Sequence, residues 1–500
     1  MRIACVYTVE HYVTVATPLS AWPEVPFGIA MVAASLEAAG HQIRTWVKTP
    51  ETHLPHLLEE MLGDFGAEAL CLTAVSSQFP QACEMAQAFK AAAPKLPVVL
   101  GGHHASLAPQ DAMKCSALDA LCIGEGDEAA TEYFKQYEAT QKPSGVANFW
   151  IRQADGGWEK NDTSRFIDDV NRLPFINRAH WAPWITNASG SAVILLGRGC
   201  PYRCTYCSNH ALKNLAKGKY VRKRDVSNVM VELEQIVATT PELDNIYFEI
   251  ETVSIFLDYI HELCEALYQF NLKREVPLSF GINMTVTSNL VRNEEACRAM
   301  LASMQRANFR FVNFGLESGS ERIRAEILRR PKYTNEEIIR FSSWADEYGI
   351  EKNLFVLVGL PTETPLEFNE TKAVTRACNP TRAYLNIFYP YPGTDLHQLS
   401  VDMGLLDPKN LGATAERSRV YLKLPGFSKR RIFREYVTFQ AQIFKGQIDP
   451  VQLGLMTAWQ VIAAYPRLRS FAKGSVNRLG FLKRRMARYR STGLGTSKES

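Results

Sequence analysis

Leu196-Gly197-Arg198-Gly199-Cys200-Pro201-Tyr202-Arg203-Cys204-Thr205-Tyr206-Cys207 follows directly on an apolar run that reads as a strand. Its cysteines are spaced C-x3-C-x2-C. Gly199 and Pro201 disfavour a helix, so the run is expected as a loop. Three thiolates this close can hold one compact inorganic cube, since Fe–S clusters are bound by Cys thiolates. Only three ligands are local, which leaves one iron of a [4Fe–4S] cluster free for another group. Zinc is the competing metal, but structural zinc takes four ligands, commonly as paired C-x2-C units, and no second set follows. Three packed thiols without a metal is the blandest alternative.

Around this loop the chain divides into two β/α series. The strand at 192–196 opens one of them. Further strands are expected at 246–250, 278–283, 311–316, 352–358 and 383–388, with helices such as 226–238, 260–270 and 335–348 between them. Six such strands predict a partial (β/α)6 barrel with its reactive residues at the strand C-termini. Upstream, strands at 2–7, 42–47, 69–75, 98–100 and 121–123 alternate with helices at 27–39, 54–65, 81–92 and 127–137. That alternation predicts a doubly wound, Rossmann-like parallel sheet. Ligands of such a sheet lie beyond the carboxyl ends of its strands, where Gly101-Gly102-His103-His104 and Gly124-Glu125-Gly126 fall. The expected α/β organisation is a doubly wound domain at 1–140, a connector with a small hairpin at 141–190, a barrel at 191–400 and a basic helical region at 401–500.

Composition removes other classes. The 500 residues are 46% hydrophobic and 22% charged, ordinary globular usage. No stretch reaches the ~18 apolar residues of a membrane span; the best, 451–464, is interrupted by Gln452 and Gln460. The opening MRIACVYTVEHY lacks an apolar h-region, so a cytoplasmic location is expected. Cys5, Cys71, Cys83, Cys115, Cys122, Cys264, Cys297 and Cys378 are then expected as free thiols rather than a disulfide framework. Charge is uneven. From residue 427 onward, 15 Lys or Arg face Glu435, Asp449 and Glu499, a net +12 that leaves the remainder at −8 and the whole at +4. A solvated face is the ordinary reading of Lys429-Arg430-Arg431 and Lys483-Arg484-Arg485. The functional reading is contact with anionic membrane, which suits a lipid-like substrate. Nucleic acid is not expected, for want of an aromatic single-strand platform.

In spacing and position the cysteine loop resembles the cluster loop of radical S-adenosylmethionine (SAM) enzymes. The resemblance implies that Cys200, Cys204 and Cys207 bind a [4Fe–4S] cluster whose free iron is chelated by SAM. An electron, from a donor such as flavodoxin or ferredoxin, then cleaves SAM to methionine and a 5′-deoxyadenosyl radical that takes hydrogen from substrate. Tyr206 stands where that family has an aromatic residue near the adenine. Asn313-Phe314-Gly315-Leu316-Glu317-Ser318-Gly319-Ser320 looks like the fourth-strand motif, which puts Glu317 and Ser318 near the ribose. Val358-Gly359-Leu360-Pro361-Thr362-Glu363-Thr364 looks like the segment after the fifth strand, with Gly359 near the adenine. Tyr389-Pro390-Tyr391-Pro392-Gly393-Thr394 resembles the turn that closes the sixth strand, and Asn283 occupies a polar third-strand position that contacts SAM. Many members hold the SAM amino group with G-G-E-P after the second strand. Here Glu249-Ile250-Glu251-Thr252 stands instead, and either acid can accept from an ammonium.

Pro97-Val98-Val99-Leu100-Gly101-Gly102-His103-His104-Ala105-Ser106 looks like the Gly-Gly loop of cobalamin-binding domains. Ile123-Gly124-Glu125-Gly126-Asp127-Glu128 resembles the segment that follows it in radical SAM relatives. The implied cobalamin site comprises Ser76, Gly101, Gly102, His103, Gly124, Glu125 and Gly126. The D-x-H-x-x-G motif is absent: Val9-Glu10-His11-Tyr12-Val13-Thr14 fails at the Asp and Gly positions. His11, His103 and His104 are therefore expected as loop or core histidines rather than cobalt ligands.

The resemblance to cobalamin-dependent radical SAM enzymes runs from residue 1 to about 400. It implies methyl transfer to an unactivated carbon of a small-molecule or lipid-like substrate, one SAM methylating the corrinoid and a second supplying the radical. Oxidative cyclisation or rearrangement, as in anaerobic porphyrin-ester cyclases, shares every motif. A non-catalytic cluster-binding sensor would need decayed SAM-binding strands. A methylthiotransferase would need a second N-terminal cysteine set and a C-terminal RNA-binding barrel.

Overall fold

Val98-Val99-Leu100 is buried throughout, the continuous apolar pattern of a parallel strand covered on both faces. The computed structural model describes residues 1–406, 416 and 418–464; Lys483-Arg484-Arg485 lies outside them. β1 (Arg2–Thr8), β2 (Gln42–Lys48), β3 (Ala69–Thr73), β4 (Val98–Gly101) and β5 (Ala120–Cys122) form a parallel sheet. β6 (Phe149–Arg152) and β7 (Trp158–Lys160) extend it antiparallel, giving the order β2-β1-β3-β4-β5-β6-β7. The connector's hairpin thus belongs to the first sheet, because β6 satisfies the edge of β5. The strand order reverses between β1 and β3, and a crevice opens there at the carboxyl ends.

The disulfide expectation is corrected at one pair. Cys83, on the helix Phe79–Ala92, and Cys115 are bonded, with Cα atoms 6.1 Å apart. Helix packing on one face of the sheet brings together two cysteines 32 residues apart, a distance no local pattern encodes. The remaining nine, the trio included, are free.

The second sheet is fully parallel. It runs in sequence order through β8 (Ser191–Leu195), β11 (Asn245–Glu249), β12 (Ser279–Met284), β13 (Phe309–Glu317), β14 (Glu351–Val358) and β15 (Arg382–Ile387). Between β8 and β11 a short antiparallel ribbon, β9 (Gly197–Arg198) with β10 (Arg222–Lys223), carries the chain into the cysteine loop. The helix Lys429–Ile443 lies against β15, where Gln440 donates to the Ala383 carbonyl and Lys372 pairs with Glu435 at 2.8 Å. It covers the last strand of a barrel that does not close. Among the described residues no helix is long and apolar enough to cross a membrane.

Candidate active site

Gly199 sits at φ +84°, and a Cβ there would come within 2.2 Å of the Tyr220 carbonyl oxygen. Only glycine fits so close to β10, and this contact launches the loop from the ribbon. Cys200 and Cys207 are half-buried and Cys204 is buried. Burial pushes the Cys200 thiol up to about 12 and the Cys207 thiol to about 11, and raises Cys204 as well. These thiols stay protonated unless a bound cation displaces the proton, as coordinated iron does. Among the described residues no three His, Cys, Asp or Glu side chains are placed to hold a metal ion. A four-iron cube asks something different, one thiolate per iron at separate corners. Three loop thiols at the carboxyl end of β8 fit that demand.

Tyr206 is fixed from below. Its hydroxyl donates to Glu317 Oε1 at 3.0 Å and accepts from Arg330 Nη1 at 3.0 Å, while Arg330 Nη2 donates to the Gly315 carbonyl at 2.6 Å. Glu317 adopts φ +59° at a register shift between β13 and β14, a bulge that re-aims its carboxylate. Burial raises that carboxyl above its ordinary range, against the pull of the Arg330 charge. Arg330 lies outside every motif quoted above, and no local signal marks it. Ser318 is wholly buried, its hydroxyl 3.3 Å from that of Thr371.

Across the barrel interior runs a polar ladder. Asn283, Asn313 and Asn353 stand in register on β12, β13 and β14. Asn353 Nδ2 donates to Asn313 Oδ1 at 2.9 Å, and Asn313 Nδ2 to Asn283 Oδ1 at 3.0 Å. Tyr247 donates its hydroxyl to Asn283 Oδ1 at 2.5 Å, and Asn283 Nδ2 reaches Glu249 Oε1 at 3.2 Å. Asn353 Oδ1 is buried without a partner among the described residues. Of the three, the sequence marks Asn283 alone as a site residue; what aligns the other two with it is the register of strand pairing, which no local spacing encodes.

Glu249 ends β11, and Glu251 lies beyond it in the cleft, close enough to Cys200 and Cys207 for its charge to raise both thiols. Burial, then the Glu251 charge, pushes the Glu249 carboxyl up to about 7, with Tyr247 and Asn283 opposing. A carboxyl raised in the fold stabilises it fully below the unfolded value and loses that contribution as pH climbs through the folded value. Ligand-free protein is therefore expected to melt progressively lower between about pH 4.5 and 7, and Glu249→Gln to flatten that slope in thermal scans. An unchanged slope would remove Glu249 as its source.

At the first sheet's carboxyl edge, Gly101 ends β4 and Gly102 takes φ +88°, where a Cβ would meet Thr73 Oγ1 at 2.6 Å. Burial lowers the His103 imidazole below its ordinary value, with the Glu416 carboxylate opposing. Ser76 is buried and bonded to His104 Nδ1 at 3.1 Å. His104 itself stacks on Phe79 and is held near 4 by burial. It is a core histidine, as expected. The backbone N–H of Gly124 donates to Ser106 Oγ at 2.9 Å, and Gly126 packs on Cys122 and Val32. Glu125 points away from the crevice, both carboxylate oxygens bonded to Arg222. Gly102 is needed for its close approach to Thr73 and Ala74, whereas at Gly101 and Gly124 a Cβ would meet nothing nearer than 3.7 Å; backbone left open at those two strand ends fits the approach of a large ligand such as a corrinoid.

The two edges meet. The helix Gly102–Leu107 packs against the helix Ser208–Leu212, the first following the Gly-Gly loop and the second following Cys207.

Residues 194–373 match the radical SAM superfamily, and residues 15–134 match the B12 binding domain. Among curated proteins the chain is 24% identical to an uncharacterized methyltransferase of Pyrococcus horikoshii, over 76% of this chain and 79% of that protein. It is 25% identical to the anaerobic magnesium-protoporphyrin IX monomethyl ester cyclase of Rubrivivax gelatinosus, over 75% and 66%. Against the hopanoid C-3 methylase of Methylococcus capsulatus it is 22% identical, over 74% and 67%. Of solved structures, the radical SAM methyltransferase TsrM from Kitasatospora setae, with tryptophan and a SAM analogue bound, superposes with TM-score 0.64 at 16% identity, covering 90% of both chains. The cobalamin-dependent SAM radical enzyme OxsB, in its apo form, gives TM-score 0.66 at 14% identity, over 93% of this chain and 71% of that one.

Proposed function

Because the chain joins a B12-binding domain to a radical SAM domain and is a cobalamin-dependent radical SAM enzyme, we propose that it transfers a methyl group to an unactivated carbon of a small, apolar or lipid-like substrate. The observation that supports this reading is the direct packing of the helix after the Gly-Gly loop on the helix after Cys207, which brings the segments following the two candidate cofactor loops into contact. When bound, the cluster with SAM supplies a hydrogen-abstracting radical and the corrinoid supplies a transferable methyl group. The chain's own residues bind and orient. Glu249 and Glu251 would accept from the SAM ammonium, Tyr206 would meet the adenine, and the asparagine ladder holds Glu249 in place through Asn283. A one-electron donor of the flavodoxin or ferredoxin kind would supply the reducing equivalent.

Similarity to methyltransferases and to a cyclase leaves the reaction to experiment. Reconstituted protein given SAM, reductant and hydroxocobalamin is expected to form 5′-deoxyadenosine and S-adenosylhomocysteine together. Deoxyadenosine without S-adenosylhomocysteine would overturn methyl transfer in favour of cyclisation. A lipid-like substrate also accords with the helix Pro450–Ala464, whose Val451, Leu455 and Ala458 form an exposed stripe, and with the net +9 of residues 465–500. The full chain is expected to co-sediment with phosphatidylglycerol vesicles, to leave them at about 0.5 M salt, and to bind phosphatidylcholine weakly. Equal binding to both lipids would sink the membrane contact.

A further inference from the structure

Glu125 and Asp127 belong to the turn whose resemblance implied corrinoid contact, yet their carboxylates face the other domain. Asp127 is 3% exposed and accepts from Arg198 Nη1 and Nη2, each at 2.8 Å. Glu125 accepts from Arg222 Nη1 at 3.0 Å and Nη2 at 2.7 Å, and from the Ile167 backbone N–H at 2.9 Å. Arg198 Nη1 also reaches Glu125 Oε1 at 3.4 Å. The two arginines pair directly across the β9–β10 ribbon, and Arg198 stands two residues before Cys200. Gly197 and Gly199 flank it, and a Cβ at Gly197 would come within 2.4 Å of the Arg222 carbonyl oxygen. The ribbon is therefore stiff up to the first cysteine.

We propose that Glu125, Asp127, Arg198 and Arg222 are positioning residues: a double fork that fixes the distance and angle between the corrinoid edge of the first sheet and the cluster loop of the second. A planar guanidinium gripping both oxygens of a carboxylate sets orientation as well as separation, which a lysine or an apolar contact does not. Buried ion pairs carry a desolvation cost that apolar side chains would avoid, so cohesion alone does not account for three of them at this seam. Nearby, Arg172 and Glu128 also pair, but both are exposed; that pair supplies the control.

This inference rests on both cofactors being bound, not on methyl transfer. The test is a pulsed electron paramagnetic resonance distance between cob(II)alamin and the reduced cluster in the full chain. Wild type and Glu128→Gln are expected to give one narrow distance. Glu125→Gln/Asp127→Asn is expected to keep its iron and corrinoid while the distribution at least doubles in width. Arg198→Lys, a milder change suited to the case where the double variant does not fold, is expected to broaden it as well. A distribution as narrow as wild type in these variants overturns the proposal. So does loss of corrinoid with the cluster intact, which would return the turn to ligand binding. A wild type that forms no S-adenosylhomocysteine would sink methyl transfer and leave this distance measurable.

Discussion

Replacing Cys200, Cys204 or Cys207 by alanine, one at a time, is expected to take reconstituted iron from about four per chain to below one and to abolish 5′-deoxyadenosine formation. A cube held at three corners with the fourth iron given to SAM has no spare protein ligand, so removing one thiolate leaves two anchors and two open irons. The fold should survive, because the loop is held by its glycine contacts with β10 and not by the thiols. Cys264→Ala is the matched control: that thiol is 1% exposed on the helix Leu257–Asn271, and its loss should leave the iron unchanged. Iron and zinc are measured together in the same anaerobic preparation. Full iron in a single-cysteine variant, or zinc in its place, would sink the cluster assignment.

The second large effect is expected at Arg330→Met. Arg330 holds Tyr206, the Gly315 carbonyl and, at 3.8 Å, Glu317, which is 8% exposed. Removing the cation leaves the buried Glu317 carboxylate without its counter-charge and the Gly315 carbonyl without the Arg330 donor, at a cost of about 3–5 kcal/mol. In a chain of 500 residues that lowers the thermal midpoint by about 3–5 °C. Adding Glu317→Gln to Arg330→Met should recover part of the loss, since it removes the uncompensated charge, whereas Arg330→Lys should not restore wild type, lacking the fork that spans Tyr206 and Gly315. Thermal scans of ligand-free protein decide it. A shift under about 2 °C for Arg330→Met would show that Glu317 finds another partner.

Strand positions within both sheets, the open barrel and the cysteine loop were legible from periodicity and spacing, because each is a local property. Alternation of strand and helix demands a parallel sheet whatever its neighbours, and C-x3-C-x2-C closes on itself within one loop. Glu249 was legible as an acid after the second strand; its raised carboxyl was not, since that depends on the burial around β11. The same limit hid Arg330 and the Cys83–Cys115 bond, whose partners are distant in sequence.

The turn at Gly124–Asp127 draws the boundary most clearly. Its sequence marks a turn of small residues around two acids, and that pattern suits a ligand or a salt bridge equally. Only the tertiary structure, by swinging the β9–β10 ribbon beneath it, decided that the acids meet Arg198 and Arg222. By itself the sequence determined the two β/α series, the cysteine loop and the strand ends, because hydrophobic period and cysteine spacing act over a few residues. Which charges pair across the seam, and which buried groups are left titratable, was decided by packing, because electrostatics acts between neighbours in space and those neighbours lie tens to hundreds of residues apart in the chain.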